Sequence, residues 1–131
     1  RLAYVEVLGN QTADTAIGFL RRAIAWFAEQ GITVKEVMTD NGSAYVSRDW
    51  AKACGTDDLN VKHRRTKPYR PQTNGKAERF IQTLLREWAY GRLWQSSTAR
   101  RHGLPSWLRY YNTKRPHGSL GHKPPQSALA A

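Results

Sequence analysis

The stretch "VMTDNGSAY", residues 37–45, decides how the chain is read. An apolar run stops abruptly at Asp40, and Asn41-Gly42 follow, a pair that turns a chain readily. Two readings meet at this point. Either Asp40 is an ordinary turn-former, or a strand has been built to hold a carboxylate at its tip. A lone carboxylate does little chemistry, so the second reading needs partners elsewhere in the chain.

Upstream of this stretch, "LAYVEVL" (2–8) is β-branched and aromatic and reads as a strand closed by Gly9-Asn10. Between Thr12 and Gln30 the apolar positions 13, 16, 17, 20, 23, 24 and 27 form the stripe of an amphipathic helix. Thr12 is its expected N-cap and Gly31 the residue just past its end. "ITVKEVM" (32–38) is then a strand that delivers Asp40. Downstream, Ser47 caps a short helix through Cys54, and "LNVKHRR" (59–65) reads as a further strand. Residues 66–74 form a loop with two prolines. Asn74 then caps a helix to about Tyr90, with Phe80, Ile81, Leu84, Leu85 and Trp88 expected inward. A last helix is expected over Leu104–Asn112, followed by a Pro/Gly-rich tail. Alternating strands and helices define an α/β pattern. Three strands are few for a sheet with helices on both faces, which predicts further sequence before Arg1, a residue that is not a start methionine.

Composition narrows the function classes. Cys54 is the only cysteine, so an internal disulfide framework is excluded and a reducing compartment is expected. One cysteine with four scattered histidines falls short of a zinc-site pattern. No apolar run reaches the roughly 20 residues needed to span a bilayer. The net charge of +11 is unevenly spread. Residues 1–60 hold six Lys/Arg against eight Asp/Glu, whereas residues 61–131 hold fifteen against two. That asymmetry points to a polyanion, most often nucleic acid, with a solubilising surface or an anionic membrane face as the bland alternatives.

In open α/β sheets, functional groups gather beyond the carboxyl ends of strands, and Asp40 sits at such an end. Glu78 lies early in the helix from Asn74, and the 37 residues between it and Asp40 are enough for a helix, a strand and a returning loop. Two carboxylates that meet need a cation between them, and Mg²⁺ accepts such oxygens while sharing a phosphate substrate. A pair of ions would clamp both oxygens of a phosphodiester displacement. Taken singly, each residue also has a plain structural reading: Asp before Asn-Gly as a turn, Glu in a first helical turn as a dipole complement. "KHRRTKPYR" (62–70), with five cations and Tyr69, suits a solvated loop or phosphate contacts with base stacking.

Three stretches taken together carry a resemblance: "TDNGSAY" (39–45), "RPQTNGKAERFIQTLLREW" (70–88) and "WLRYYNTKRPHGSLGHKPP" (107–125). They resemble the integrase-core (DDE) transposases of bacterial insertion sequences, IS481/IS3-like, relatives of retroviral integrases. The resemblance runs over essentially the whole chain. It implies an α/β, ribonuclease H-like fold and DNA strand transfer with two Mg²⁺ or Mn²⁺ ions held by an Asp, Asp, Glu triad. Asp40 matches the second aspartate and Glu78 the glutamate, at a spacing slightly longer than the family's usual one, as a surface loop can absorb. Asn41 and Gly42 would shape the turn, and Pro71, Gln72, Asn74 and Gly75 the loop and cap before the glutamate. Arg64, Arg65, Lys67, Arg70, Asn74, Lys76 and Arg79 are assigned to DNA, chiefly its phosphates. Tyr111, Asn112, Arg115, Pro116 and His117 match the C-terminal motif, where a structural role is at least as good as a catalytic one.

The family's first aspartate and first two strands have no counterpart, because "RLAYVEVL" matches the third strand. Those missing strands bridge the third and fourth, so residues 1–8 are expected to lack a pairing neighbour. The expectation is a catalytic core over residues 1–92, with residues 93–131 as the C-terminal helix and tail of the same domain, inactive as it stands. Further expectations are DNA as partner, a homo-oligomer on it, and a cytoplasmic, nucleoid-associated location. Two alternatives stay open: a non-catalytic nucleic-acid-binding remnant and a ribonuclease H-type nuclease.

Overall fold

A computed structural model of the chain describes residues 2–66, 75–91 and 94–130, and the side chains of all of these except 75, 76, 128 and 130. The described elements are α1 (Ala13–Glu29), β1 (Glu36–Thr39), α2 (Arg48–Cys54), β2 (Lys62–Arg65), α3 (Gly75–Leu84) and α4 (Ser97–Thr113). They fall into two compact units: Leu8–Glu78, and Arg1–Val7 with Arg79–Ala131. The boundary between Glu78 and Arg79 lies inside α3.

In the first unit, α1 forms where the apolar stripe predicts it. Thr12 caps it by accepting from the Thr15 N–H, and Gly31 follows its end at φ +81°, a conformation that glycine adopts without steric cost. Leu20 is buried with Trp50, Cys54 and Val61, and Ile17, Ile24, Val37 and Tyr45 pack around them. β1 and β2 pair in parallel, with Glu36 opposite Lys62 and Thr39 opposite Arg65, and α2 makes the crossover between them. Ser47 caps α2 as expected, accepting from the Trp50 N–H at 3.1 Å.

Both strands are shorter than the sequence predicts, for one reason. The N–H groups of Leu59, Asn60 and Val61 donate to the carbonyls of Ala53, Gly55 and Cys54, so the end of α2 takes the backbone that a longer β2 would need. Asn60 sits at φ 53°, in the left-handed region that asparagine tolerates better than most residues. With β2 starting at Lys62, β1 has partners only from Glu36 onward.

In the second unit, Trp88, Ala89 and Leu104 are buried together, with Val5, Leu84, Trp94 and Trp107 against them. α3 runs into a π-helical turn over Leu85–Ala89, marked by the Tyr90 N–H donating to the Leu85 carbonyl at 2.8 Å. Phe80, Leu84 and Trp88 face inward as predicted, but Ile81 is 50 % exposed and Leu85 41 %. Thr83 is buried instead of Ile81. α4 begins at Ser97, well before the expected Leu104, capped by Ser96 accepting from the Ala99 N–H. Gly103 and Pro105 weaken the helical pattern in the sequence. Gly103 is needed there because a Cβ would come within 2.4 Å of the Trp94 ring.

The predicted strand at residues 2–8 has no sheet pairing among the described residues. A side chain takes the place of a neighbouring strand. Buried Asn112 accepts from the Ala3 N–H at 2.8 Å and donates from Nδ2 to the Ala3 carbonyl at 2.7 Å. One residue's donor and acceptor are thereby satisfied as a strand would satisfy them. Asn112→Ala should cost about 1–3 kcal/mol in urea unfolding, since both Ala3 groups lose their partner. An unchanged midpoint would show that water replaces the amide.

Candidate active site

Asp40 is the first residue beyond β1, and its side chain is exposed. Hydrogen bonds on both sides of it fix the backbone. The Thr66 N–H donates to the Thr39 carbonyl at 2.8 Å, which carries the parallel pairing one step past β2. Asn41 Nδ2 donates back to the Thr66 carbonyl at 2.9 Å. Asn41 is therefore a staple between the end of β1 and the exit of β2, a role the sequence did not disclose.

The carboxylate itself is held by a short turn. Asp40 Oδ1 accepts from the Gly42 N–H at 2.8 Å. Gly42 was expected to serve by turning the chain, yet its φ of −58° is open to any residue. Space is what it supplies, because a Cβ there would lie 3.0 Å from Asp40 Oδ1. Asp40 Oδ2 has no hydrogen-bond partner among the described residues.

A cleft of about 320 Å³ opens beside Asp40, lined also by Asn10, Gln11, Phe19, Ser43 and Tyr45. The Tyr45 ring meets Trp50 edge-on at 4.9 Å. Burial, and secondarily the Asp40 charge, push the Tyr45 hydroxyl above its ordinary pKa, so it is protonated at neutral pH. Behind the strand tip, the Thr39 hydroxyl donates to the Asp40 carbonyl at 2.9 Å and contacts His63 Nε2 at 2.8 Å. With its proton given to Asp40, Thr39 Oγ1 is left to accept, so Nε2 carries the proton of a neutral imidazole.

Glu78 lies in the first turn of α3, exposed, in the same compact unit as Asp40. Among the described residues, no three His, Cys, Asp or Glu side chains gather closely enough to hold a metal ion. Of the expected DNA contacts, Arg64 and Arg65 stand exposed on β2 and Arg79 is exposed on α3. Arg64 lies 3.6 Å from Glu36, with both side chains about half exposed, so this pair is weak and leaves the cation available. Lys67, Arg70, Pro71, Gln72 and Asn74 fall outside the described residues, as do the side chains of Gly75 and Lys76.

The C-terminal motif is occupied with packing. Tyr111 is buried against Phe80, and Asn112 holds Ala3. Arg115 forms a two-pronged ion pair with Glu87 at 2.8–3.1 Å. His117 and Lys123 pair through their backbones in an isolated bridge, and Pro116 lies just before it.

Comparison with known proteins agrees with this architecture. Two family models described as integrase core domain match residues 1–71 and 59–125. The chain belongs to the integrase core domain family. An insertion element IS136 protein of Agrobacterium fabrum is 35% identical over 100 residues, covering 73% of this chain and 48% of its own length. The transposase InsD of insertion element IS2D from Escherichia coli is 30% identical over 97 residues, covering 72% and 31%. The chain thus spans less than half the length of these relatives. The catalytic core domain of BIV integrase superposes with a TM-score of 0.68 at 22% identity, covering 95% of this chain and 75% of that one. The fold is accordingly α/β and ribonuclease H-like, as the sequence predicted.

His63 carries a pH prediction. Burial, followed by the nearby Arg65 charge, lowers its pKa below the ordinary 6.5. The folded state then prefers the neutral ring, and the unfolded chain binds the proton first as pH falls. Stability is complete above about pH 6.5 and declines below it, as the pH drops through the lowered folded value. Urea midpoints measured at pH 7.5 and pH 5.5 should differ less in His63→Gln than in the unmutated chain. An equal pH dependence in both would assign the acid sensitivity to other groups.

Proposed function

We propose that this chain is catalytic-core sequence of a DNA transposase or integrase, in which Asp40 and Glu78 are metal-binding carboxylates for phosphodiester strand transfer. The observation that carries the reading is Asp40 itself. It is an exposed carboxylate at the carboxyl end of a parallel βαβ unit, where such sheets place their chemistry. Membership of the integrase core family supplies the reaction class.

The donor set suits a hard cation: Asp40 keeps Oδ2 available, and Glu78 contributes a second exposed carboxylate. Bound Mg²⁺ or Mn²⁺, in a pair when the site is complete, would polarise the phosphodiester and favour the attacking oxygen. The protein's own residues do the positioning. Gly42 N–H fixes one oxygen of Asp40, and Asn41 ties the strand tip to the exit of β2. Arg64, Arg65 and Arg79, with Lys67, Arg70, Asn74 and Lys76 from the loop and helix start, contact DNA. Such a protein works as a homo-oligomer on DNA and is found with the nucleoid. No helix among the described residues is long and apolar enough to cross a membrane.

The charge asymmetry favours a second reading, a non-catalytic nucleic-acid-binding module that uses the same cations. Mn²⁺ titration separates the two. Asp40→Asn and Glu78→Gln should each weaken Mn²⁺ binding at least about tenfold, and DNA affinity measured without metal should stay within about twofold. Unaltered Mn²⁺ binding in both variants would leave only the binding module. Arg65→Ala should weaken DNA binding and lower the slope of log affinity against log salt by about one. An unchanged slope would remove Arg65 from the interface.

A further inference from the structure

We propose that the cleft beside Asp40 receives one unstacked nucleobase of a DNA strand. The inference rests on DNA being the substrate of this site, and it adds what part of the DNA the cleft takes. Its lining decides the ligand class. In a chain of net charge +11, none of the described lining residues is Lys, Arg or His. Among the described lining residues Asp40 is the one charged group, so they offer a phosphate no cation to pair with. What they offer is aromatic surface from Phe19 and Tyr45, and neutral polar groups from Gln11, Ser43 and the Tyr45 hydroxyl. Flat heterocycles with hydrogen-bonding edges fit that combination, by stacking on the rings and bonding to the amide.

The individual groups are suitably committed or available. Asn10 Oδ1 already accepts from the Thr12 N–H and from the Thr12 and Thr15 hydroxyls, which sets the entry into α1. Gln11 is exposed, and its amide has no hydrogen-bond partner among the described residues, so it remains free to read a base edge. Trp50 fixes the Tyr45 ring, so a base meets a surface already held in place. At about 320 Å³ the space is at the lower end for ligand pockets, the size of a single nucleotide unit and not of a duplex. A duplex end would have to splay to supply such a base.

Fluorescence anisotropy with EDTA present tests the proposal without metal or catalysis. The probes are a single-stranded oligonucleotide of about a dozen nucleotides and the same backbone carrying abasic sites. The unmutated chain should bind the intact strand about tenfold more tightly than the abasic one. Gln11→Ala and Tyr45→Leu should each bring that ratio toward one and leave abasic binding unchanged. Tyr45 packs on the core, so circular dichroism checks that variant, and the exposed Gln11→Ala carries the test if it unfolds. Equal binding of both strands by the unmutated chain overturns the base receptor while leaving phosphate recognition intact. A ratio that survives Gln11→Ala, and Tyr45→Leu where that variant folds, overturns the assignment to this cleft. Failure to bind either strand overturns the receptor and the DNA reading together.

Discussion

Two hydrogen bonds across one residue hold the candidate site in shape: Thr66 N–H to the Thr39 carbonyl, and Asn41 Nδ2 to the Thr66 carbonyl. A two-stranded sheet of four residues per strand has little stability of its own, and its ends would fray. These bonds extend the pairing past the last ladder residue and bracket Asp40 between anchored neighbours. Beneath them, Val37 packs on the cluster of Leu20, Trp50 and Val61, so the strand tip is tied to the unit's buried core. His63 links the two layers, edge-on to Trp50 and bonded to Thr39. An exposed carboxylate thereby gains a fixed origin without being buried itself.

The C-terminal motif works by a different rule. Its residues are polar or aromatic, which in a sequence suggests chemistry, yet most of them are consumed by packing. Arg115 spends its guanidinium on Glu87 and lies over the Tyr111 ring at 5.7 Å. Asn112 gives both ends of its amide to one peptide unit. Such arrangements tolerate few substitutes, because an isostere must reproduce donor, acceptor and shape together.

Much of this was legible in the sequence because it is local. The caps at Thr12 and Ser47, the stripe of α1 and the turn-holding of Asp40 depend on neighbours within a few positions. What stayed hidden depends on long-range competition. Strand lengths were set by α2 capturing the backbone of residues 59–61. The missing neighbour of residues 2–8 was expected, but not that a side chain over a hundred positions away, Asn112, would take its place. The early start of α4 was masked by Gly103, whose signal is helix-breaking while its purpose is to admit Trp94. Gly42, read from the sequence as a turn residue, has an ordinary backbone conformation and leaves room beside Asp40.

Cys54 has a practical consequence. Its thiol is buried, and burial, then the nearby Asp58, raises its pKa, which keeps it in the unreactive protonated form at neutral pH. The molecule's one sulfhydryl is chemically quiet. A cysteine introduced at any exposed position would then be the sole site to take a maleimide dye or spin label. Distances across this small domain and the path of a bound strand become measurable with the native background left in place.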